Sequence, residues 1–377
     1  MLLTEEYLLV QESARSLAEK VIRPHVEDWE KNKQFPKPAI DELAKAGFLG
    51  MMVPTQWGGS ESNHLAFVLC IAEIAKACAS ISTVLSVHNS LVCAPILKFG
   101  TQAQQEKFLG PLARGEVLGA FCLSEPQAGS DAANCLTTAT HKGDFFVLNG
   151  VKQFVTNGQH ADVAIVFAKT DNSSKAGLSA FIVPTDTPGF QVAKIEHKMG
   201  QHASEIAQIV LDDCHVNAAY LLGSQGQGYK IALGNLEGGR LGIAAQAVGM
   251  AEEALRLSIQ YAKERKTFGK FLFEHQAISF KLADMATQLE AAKQLLYHAA
   301  LLRDAQKPCL KEASMAKLFA SEVAEKVCRE AIQIYGGYGY LQDFPLERIY
   351  RDVRVTTIYE GTSEIQRYII GRELVAD

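Results

Sequence analysis

The stretch Phe145-Phe-Val-Leu-Asn-Gly-Val-Lys-Gln-Phe-Val155 decides the fold class of the middle of the chain. Two runs rich in β-branched and aromatic residues flank Asn149-Gly150, a dipeptide that favours the type I′ turn of a two-residue β-hairpin. Similar short runs lie around it, and no helical pattern separates them. They predict an antiparallel barrel or sandwich and argue against a parallel nucleotide-binding sheet. The other runs are Val117–Leu123, Val163–Ala168, Leu178–Val183, Phe190–Ile195 and Ile206–Leu211.

Helical patterns occupy both sides of this β-rich region. Before it they cover residues 4–36, 38–46, 63–79, 83–98 and 102–113. After it the patterns are longer, at 229–265, 276–305, 310–335 and 358–371. Small and apolar residues recur on one face of the first long helix, which is typical of an antiparallel four-helix bundle. These residues are Leu241, Ala244, Val248, Ala251 and Leu255.

The order of the patterns predicts an α+β protein of three domains. We expect an N-terminal all-α domain (1–116), a central antiparallel β-barrel or sandwich domain (117–228) and a C-terminal four-helix-bundle domain (229–377). Ligand sites tend to form in clefts where domains meet, so both junctions are candidate sites.

Composition narrows the classes of partner. Of the 377 residues, 48% are hydrophobic and 21% are charged, which is ordinary for a soluble globular protein. The net charge is −5 and no basic tract stands out, so nucleic acid is not an expected partner. No apolar run approaches the length of a transmembrane helix, so membrane insertion is not expected either.

Cysteine usage and the N-terminus predict a compartment. The eight cysteines are scattered without a C-x-x-C pair, which indicates small buried side chains in a reducing compartment and predicts neither disulfides nor a metal site. The N-terminus has early acids and no basic region, unlike a signal or transit peptide. We expect a bacterial cytoplasmic protein, with a mitochondrial matrix protein after presequence removal as the alternative.

The segment Ile358-Tyr-Glu-Gly-Thr-Ser-Glu-Ile-Gln-Arg367 places an acid beside a helix entrance. Ser363 and Gln366 have the spacing of a capping box, and Gly371 would end the helix. Glu360 then precedes the helix N-terminus. It could be a solvated acid that is stabilised by the helix dipole, or a general base at the mouth of a pocket. This segment alone does not decide between the two.

Four other stretches concentrate glycine, small polar and aromatic residues. They are Phe121–Asp131, Phe154–Asn157, Arg265–Gly269 and Gln333–Gly337. Each has an ordinary structural interpretation, such as a turn, a strand end or a helix C-cap. Each could also bind a ligand, because glycine amides and hydroxyls suit a pyrophosphate and an aromatic ring suits a heterocycle. No P-loop, zinc-protease or nucleophile-elbow motif is present, and the paired glycines lack the third glycine of a dinucleotide fingerprint.

Six motifs in register resemble the acyl-CoA dehydrogenase family of flavoproteins over essentially the whole chain. In one-letter code they are SEPxAGSD, LNGxKxFVTN, RKTFGK, HQAI, QIxGGxG and IYEGTSEIQR, and they occur in this order. The resemblance implies α,β-dehydrogenation of an acyl-CoA thioester, with the β-hydrogen leaving as hydride to FAD. It also implies electron transfer to an electron-transfer flavoprotein and a homotetramer built as a dimer of dimers.

The resemblance assigns roles to individual residues. It implies that Glu360 is the base that removes the α-proton, with a pKa raised by desolvation in a dry pocket. Phe154 takes the place where the family usually has Trp against the flavin, which puts flavin affinity in doubt but not the reaction. The residues implied for the substrate are Ser130, Glu237, Arg240, Tyr359 and Gly361. Those implied for the flavin half of FAD are Phe121, Leu123, Ser124, Gly129, Ser130, Phe154, Val155 and Thr156. Those implied for the rest of FAD, partly across a subunit interface, are Arg265, Thr267, Phe268, Gln276, Gln333, Gly336, Gly337, Thr362, Ser363 and Glu364.

The acyl group is less well determined. Ser86-Val-His-Asn-Ser-Leu91 looks like the corresponding stretch of short-chain enzymes. Branched short acyl groups stay open, because one methylene changes discrimination by only about 1–3 kcal/mol. Some relatives carry the base immediately before the arginine that matches Arg240, but here that position is Gly239. A non-catalytic scaffold that binds acyl-CoA or flavin is the alternative from another class.

Overall fold

The computed structural model describes residues 3–171 and 177–376, and its elements follow the predicted order of helices, strands and helices. The N-terminal region is helical, as predicted. Its α-helices are α1 (Glu5–Leu17), α2 (Val26–Asn32), α3 (Lys37–Lys45), α4 (His64–Ala77), α5 (Ala79–Val87), α6 (Ala94–Phe99), α7 (Gln102–Gln104) and α8 (Gly110–Ala113). Turns of π-helix extend three of them, at Ala18–Ile22, His88–Cys93 and Gln105–Leu109.

The central region is a single sheet of eight strands. The strands are β1 (Gly119–Cys122), β2 (Thr138–Lys142), β3 (Phe145–Thr156), β4 (Val163–Lys169), β5 (Leu178–Pro184), β6 (Phe190–Ile195), β7 (Ile206–Asn217) and β8 (Leu221–Leu222). Their order is β6-β7-β3-β2-β4-β5-β8, with β1 beside β4. The path has two ends, so the sheet is sandwich-like and is not a closed barrel. Most pairs are antiparallel as predicted, but β1 and β2 each pair with β4 in parallel.

The predicted turn at Asn149-Gly150 is wrong. β3 runs unbroken through this dipeptide, and the hairpin turn lies at Gly143, between β2 and β3. The Asn149 side chain instead exchanges two hydrogen bonds with Asp213 of β7, and the β3–β7 register shifts at this point. A Cβ at Gly150 would lie 2.4 Å from Thr137 Oγ1, so the glycine permits a close approach of β3 to the residue that precedes β2.

Strand β4 shows why some strands of the sheet have continuous apolar sequences instead of alternating apolar and polar residues. Val163, Ile165 and Phe167 pack into one hydrophobic cluster with the helices α6–α8. The alternate residues Ala164 and Val166 pack into a second cluster that lies within the β-domain. Because successive side chains point to opposite faces, a strand that is covered on both faces has no polar side.

The C-terminal region is a helical bundle with one small hairpin. Its elements are α9 (Gly228–Glu264), β9 (Lys266–Thr267), β10 (Lys270–Phe271), α10 (Gln276–Asp304), α11 (Leu310–Tyr335), α12 (Pro345–Val353) and α13 (Ser363–Leu374). The largest hydrophobic cluster joins α1, α4 and α5 to α9, α10 and α11. The first and last thirds of the chain therefore share one core, and the sheet packs beside it.

The expectation that no apolar run approaches the length of a transmembrane helix is wrong, because Ala79–Phe99 is apolar and long enough to span a membrane by length and composition. In this fold 89% of that window is buried inside the protein, so packing between helices accounts for its apolar character. His88 lies in the middle of this stretch. Its Nε2 donates to Leu112 O (3.0 Å) and its Nδ1 accepts from Gly119 N (3.2 Å), which is a neutral imidazole that joins the helical domain to β1. Burial lowers the pKa of His88 to about 4, so the ring keeps this role at neutral pH.

Candidate active site

Glu360 lies in a short loop between α12 and α13, in a backbone conformation that is unusual for a side-chain-bearing residue. Its φ is +54° and that of Gly361 is +91°. A non-glycine residue held at positive φ costs of order 1–3 kcal/mol and persists only where its surroundings fix it. Such outliers cluster at functional sites, which makes this loop the first candidate for the active centre.

The helix that follows Glu360 is capped differently from the prediction. Thr362, and not Ser363, is the N-cap, and its Oγ1 accepts from Ile365 N (3.3 Å). The helix also continues past Gly371 to Leu374. Gln366 does not close a capping box, because its Nε2 donates to Glu360 O (3.1 Å) and Gly361 O (2.9 Å).

A buried lysine completes the support of this loop. The Lys317 Nζ, from α11, donates to Gly361 O (2.7 Å), and the Lys317 residue is fully buried. Burial lowers the pKa of Lys317 to about 8, although the nearby Glu360 carboxylate favours the charged form. The loop backbone is thus held from two helices, by an ammonium group and by the Gln366 amide.

The Glu360 carboxylate packs against Gly239 on α9. A Cβ at Gly239 would lie 2.4 Å from Glu360 Oε2, so any larger residue there would displace the carboxylate. Because glycine has no side chain, position 239 leaves the space that the Glu360 carboxylate occupies. It also means that this chain has room for one carboxylate at this point.

The electrostatics of Glu360 set it apart from an ordinary surface acid. Its Oε2 is sealed from solvent and has no hydrogen-bond partner among the described residues, although the residue as a whole is half-buried. Burial raises the pKa of Glu360 to about 7, against the attraction of Arg240 and Lys317, which favour the carboxylate. A carboxyl group with this pKa exchanges its proton near neutral pH, as a general base must.

Arg240 and Glu237 lie on the same helix but differ in their surroundings. Arg240 is buried, and its Nε and Nη1 have no partner in the part of the chain that the structure describes. Burial lowers the pKa of Arg240 while the Glu237 and Glu360 charges raise it. Glu237 pairs with Arg303 of α10, with its Oε2 2.9 Å from Nη1. The unpartnered guanidinium is the group of the two that is free to meet a ligand.

The segment that follows β1 is fixed by a buried ion pair. Lys152 Nζ lies 2.7 Å from Glu125 Oε1, and both side chains are almost fully buried. Gln153 N donates to Ser124 O (2.8 Å), and Lys152 Nζ also contacts Leu123 O (3.3 Å). These contacts tie the segment to β3 and leave its outer end exposed.

The predicted flavin residues divide into exposed and buried side chains. Gly129 and Ser130 are exposed, and Phe121, Ser124 and Thr156 are half-buried. Leu123 and Val155 point into the two hydrophobic clusters that flank the sheet, so only their backbone atoms could face a ligand.

Phe154 is the most unusual residue of β3. Its φ is +60° and its side chain is 65% exposed, at a point where the β3–β7 register shifts. A strand end that presents a large ring to solvent, in a conformation that costs free energy, indicates a face for another aromatic group. The Asn157 side chain that follows donates to Gly119 O (3.1 Å) and anchors the strand end on β1.

A second site lies on the C-terminal bundle. Arg265, Thr267, Gly336 and Gly337 line one groove of about 530 Å³, together with Tyr261, Leu272, Ile334, Tyr335, Tyr338 and Leu341. The two glycines have open space where a Cβ would be, and Gly336 has φ +61°. Gln276 and Gln333 are exposed, as is Phe268, at 97%. None of residues 358–362 lines this groove, so the groove is separate from the Glu360 loop in the isolated chain.

Sequence reasoning did not assign roles to several residues that shape the site. Lys317 lies on the small-residue face of α11 with Ala313, Ala316 and Ala320. A charged residue at a core position of a helical pattern is the signal that would have found it. The Glu125–Lys152 pair had no such signal, because the two residues are far apart in sequence and meet only in the fold.

Three family models match the chain in the same order as its three regions. They are the N-terminal (4–116), middle (120–214) and C-terminal (226–375) domains of acyl-CoA dehydrogenase. The chain belongs to the acyl-CoA dehydrogenase family. Members are oxidoreductases that act on acyl-CoA, and their cofactor is FAD.

Curated relatives match over nearly their full length. An acyl-CoA dehydrogenase of Bacillus subtilis is 48% identical over 376 residues, which cover 100% of this chain and 99% of the relative. The mitochondrial short-chain specific acyl-CoA dehydrogenase of Mus musculus is 44% identical and covers 99% of this chain, with 91% of the relative matched. Subunit CarC of the caffeyl-CoA reductase-Etf complex of Acetobacterium woodii is 44% identical, with 100% of both chains matched.

Solved structures agree with the fold. A butyryl-CoA dehydrogenase from Megasphaera elsdenii has a TM-score of 0.98 at 45% identity and covers 100% of this chain and 99% of its own. A chain from a structure of the electron transferring flavoprotein of Acidaminococcus fermentans has a TM-score of 0.99 at 45% identity, with 100% of both chains covered. A Mycobacterium smegmatis glutaryl-CoA dehydrogenase in complex with FADH2 has a TM-score of 0.95 at 31% identity, with 100% of this chain and 96% of that chain covered.

Two observations in this structure fit a flavin dinucleotide. The exposed ring of Phe154, held at positive φ, offers a stacking face for a heterocycle. The C-terminal groove combines a guanidinium, Arg265, with two glycines that leave the backbone open, which suits a phosphate-bearing ligand. The residues present are therefore compatible with the FAD of the family.

Proposed function

We propose that this enzyme dehydrogenates short-chain acyl-CoA thioesters to trans-2-enoyl-CoA, with Glu360 as the base. The observation that carries the proposal is the Glu360 carboxylate. It is packed against Gly239, has an Oε2 without a partner in the described structure, and has a pKa raised to about 7 by burial. A solvated acid at a helix entrance would have none of these properties.

The residues around Glu360 explain how it could remove a proton at neutral pH. The carboxylate Oε2 takes the α-proton of the thioester, and burial makes it a stronger base than a solvated glutamate. Arg240 and Lys317 supply positive charge nearby, so part of the population is ionised before substrate arrives. Bound FAD supplies the two-electron acceptor for the hydrogen that leaves the β-carbon. The seal around Oε2 excludes water, which strengthens these electrostatic interactions.

We assign the remaining predicted residues to binding. Ser124, Gly129, Ser130, Phe154 and Thr156 would hold the flavin half of FAD, with backbone atoms of Leu123 and Val155. Arg265, Thr267, Gly336 and Gly337 would hold the adenosine diphosphate half of an FAD in a second subunit, because their groove lies apart from the Glu360 loop. Arg240, whose Nε and Nη1 have no partner among the described residues, would meet the thioester substrate or its CoA arm.

Close packing beyond Glu360 supports a short acyl group. Gly242 lies on the same face of α9 as Gly239, one turn further on. A Cβ at Gly242 would lie 2.1 Å from Ser86 Oγ, so α5 and α9 touch there. The buried Ser86 therefore fills the space one turn along α9 from Gly239, and this packing supports a short acyl chain. The similarity to a butyryl-CoA dehydrogenase and to a short-chain specific enzyme points the same way.

An electron-transfer flavoprotein is the proposed electron acceptor. CarC is named as part of an Etf complex, and a chain of the same fold occurs in a structure of an electron transferring flavoprotein. We also propose a homotetramer, built as a dimer of dimers. Phe268, Phe273 and Phe280 expose large apolar side chains on the β9–β10 hairpin, the 3-10 turn after it and α10, and a second copy of the chain would cover them.

Anaerobic reduction of the bound flavin tests the proposed activity. The purified holoenzyme is mixed with butyryl-CoA, isobutyryl-CoA, isovaleryl-CoA or octanoyl-CoA, and bleaching of the flavin band is followed by stopped-flow absorbance. We expect the fastest reduction with butyryl-CoA and weak reduction with octanoyl-CoA. Fastest reduction by a branched substrate would support the branched-chain alternative. A flavin that no acyl-CoA bleaches would support the non-catalytic scaffold and overturn the proposal.

A further inference from the structure

Three buried side chains and the half-buried Tyr359 form a closed ring of hydrogen bonds beside the Glu360 carboxylate. Gln201 Nε2 donates to Tyr359 OH (3.3 Å), and Tyr359 OH donates to Gln246 Oε1. Gln246 Nε2 donates to Thr83 Oγ1 (2.6 Å), and Thr83 Oγ1 donates to Gln201 Oε1 (2.7 Å). Every member accepts from one neighbour and donates to the next, so all four bonds run in one direction around the ring.

The ring joins all three regions of the fold. Thr83 lies on α5 of the N-terminal region, Gln201 on the loop between β6 and β7, and Gln246 on α9 of the bundle. Tyr359 directly precedes Glu360. A ring of this kind can close only when the helices and the sheet are docked in one arrangement. Hydrogen bonds in such chains polarise one another, and an unpaired member in this buried place would be costly.

Gln201 is itself held firmly. Its backbone N donates to Asp352 Oδ1, and its Nε2 also reaches Asp352 O (3.2 Å). The φ of Gln201 is +52°, so it is a second residue with a strained backbone. It is linked to Glu360 through its hydrogen bond to the neighbouring Tyr359. Strain at both residues persists because the surrounding contacts over-determine them.

We propose that this ring is a positioning device for the catalytic base. It fixes the Tyr359 hydroxyl and, through the adjoining peptide, holds the Glu360 backbone at positive φ with its carboxylate against Gly239. The alignment of the base then depends on docking of all three domains. Gln201, Thr83 and Gln246 act through Tyr359 and Glu360, so they are positioning residues. The kinetic part of this inference rests on the proposed function.

The test uses the chain's own matched control. Gln104 has the same exposure as Gln201, 4%, and also joins the helical region to the β-domain, with its Nε2 donating to Ala219 O (2.7 Å) and Leu221 O (2.9 Å). Gln201→Leu and Gln104→Leu therefore remove comparable buried amides, and only the first belongs to the ring. Thr83→Val removes the ring hydroxyl with little change of shape, whereas Thr83→Ser retains it.

The first measurement is single-turnover flavin reduction of the holoenzymes by butyryl-CoA. We expect the limiting rate to fall about 10–100-fold in Gln201→Leu and Thr83→Val, as for a misplacement of about 1 Å, with the substrate Kd nearly unchanged. The limiting rate per bound flavin should be normal in Gln104→Leu and largely restored in Thr83→Ser. Equal losses in Gln201→Leu and Gln104→Leu would assign the ring a general structural role and overturn the proposal.

The second measurement does not need turnover. Hydrogen exchange of the holoenzymes, followed by mass spectrometry, reports the amides of residues 355–366, including Tyr359 N, which donates to Val355 O (3.1 Å). We expect faster exchange there in Thr83→Val and Gln201→Leu, and protection like the wild type in Gln104→Leu. Unchanged exchange in the ring variants would overturn the positioning role. If wild-type flavin resists every acyl-CoA, the proposed function fails while this measurement still decides the ring.

Discussion

Two glutamates in this chain, each with a carboxylate oxygen enclosed by the protein, have opposite surroundings. Glu125 lies 2.7 Å from Lys152 Nζ and accepts from the backbone N of Thr137 (3.0 Å) and of Leu136. Burial alone would raise the pKa of Glu125, but the Lys152 charge and these hydrogen bonds lower it to about 2. Glu360 has two cations nearby, yet in the described structure its Oε2 has no partner and no ion pair, and burial raises its pKa to about 7.

The difference lies in the acceptor to which each nearby lysine donates its hydrogen bond. Lys152 directs its ammonium at Glu125, whereas Lys317 directs its ammonium at Gly361 O and leaves the carboxylate of Glu360 unbonded. A carboxylate that is fully satisfied is a structural group with no affinity for a proton at neutral pH. A carboxylate that is buried and under-satisfied is a base, and the fold pays for it in stability.

The largest expected effect is on the chemical step. Glu360→Gln keeps the shape of the side chain but cannot accept a proton, so the limiting rate of flavin reduction should fall roughly 10⁴-fold. Flavin content and butyryl-CoA binding should persist. Stopped-flow reduction with a separate binding titration checks this. A variant that reduces its flavin at the wild-type rate would remove Glu360 from the role of base.

Glu125→Gln should affect stability instead. It leaves the buried Lys152 ammonium without its carboxylate, which costs about 3–5 kcal/mol in the free energy of unfolding. Denaturant unfolding measures this loss, and the rate of reduction per bound flavin should stay close to that of the wild type. Glu116→Gln, which breaks an exposed pair with Arg114, is the control and should not measurably change stability. A large rate loss in Glu125→Gln at full flavin content would show that Glu125 also affects the reaction, and would contradict a purely structural role.

The stability cost of Glu360 should depend on pH. Below about pH 4.5 the carboxyl group is protonated in both states, and the wild type and Glu360→Gln should be similarly stable. Between pH 4.5 and 7 the unfolded chain releases the proton that the folded chain retains, so the wild type loses stability as pH rises. Above pH 7 the variant should be more stable by on the order of 3 kcal/mol.

Denaturant unfolding of both holoenzymes across this pH range is the measurement. The exposed Glu264→Gln serves as the control for loss of a carboxylate that is not enclosed by the protein. A constant difference between Glu360→Gln and the wild type would show that Glu360 has the same proton affinity in the folded and unfolded chains.

The smallest expected effect comes from Lys317. Lys317→Met removes a positive charge near Glu360, which raises the pKa of the base and moves the midpoint of the pH–rate profile upward by roughly one pH unit. The effect should shrink above about pH 8, where the wild-type lysine loses its own charge. Lys326→Met, on the exposed face of the same helix, is the control. An unmoved midpoint would mean that Lys317 only supports the loop backbone.

The sequence predicted those features that depend on local pattern or on a contiguous motif. The long helices follow from their periodicity. Glu360 stands out because an acidic residue, a glycine and the start of a helix follow one another in the sequence. The prediction of a turn at Asn149-Gly150 failed because Asp213, on a strand more than sixty residues away, pairs with Asn149 within a continuous β3. Tertiary contact overrode a strong local propensity there.

The ring around Tyr359 could not be predicted for the same reason. Thr83, Gln201 and Gln246 are polar residues in unremarkable stretches, and their common role appears only when three domains meet. A contact between residues distant in the chain leaves no periodic trace, whereas a core lysine such as Lys317 does disturb a pattern. The prediction therefore singled out the proposed base and missed most of the residues that hold it in place.

The space shared by Gly239 and Glu360 has a consequence for how this catalyst can change. With a Cβ at position 239 only 2.4 Å from the existing oxygen, a second acid cannot simply be added as a spare. Transplanting the proton acceptor onto α9 would require two coordinated replacements, one that vacates the volume and one that fills it. Replacing Glu360 alone would leave the site without a base, and replacing Gly239 alone would displace the carboxylate. Moving the base to α9 one substitution at a time would therefore pass through an inactive protein.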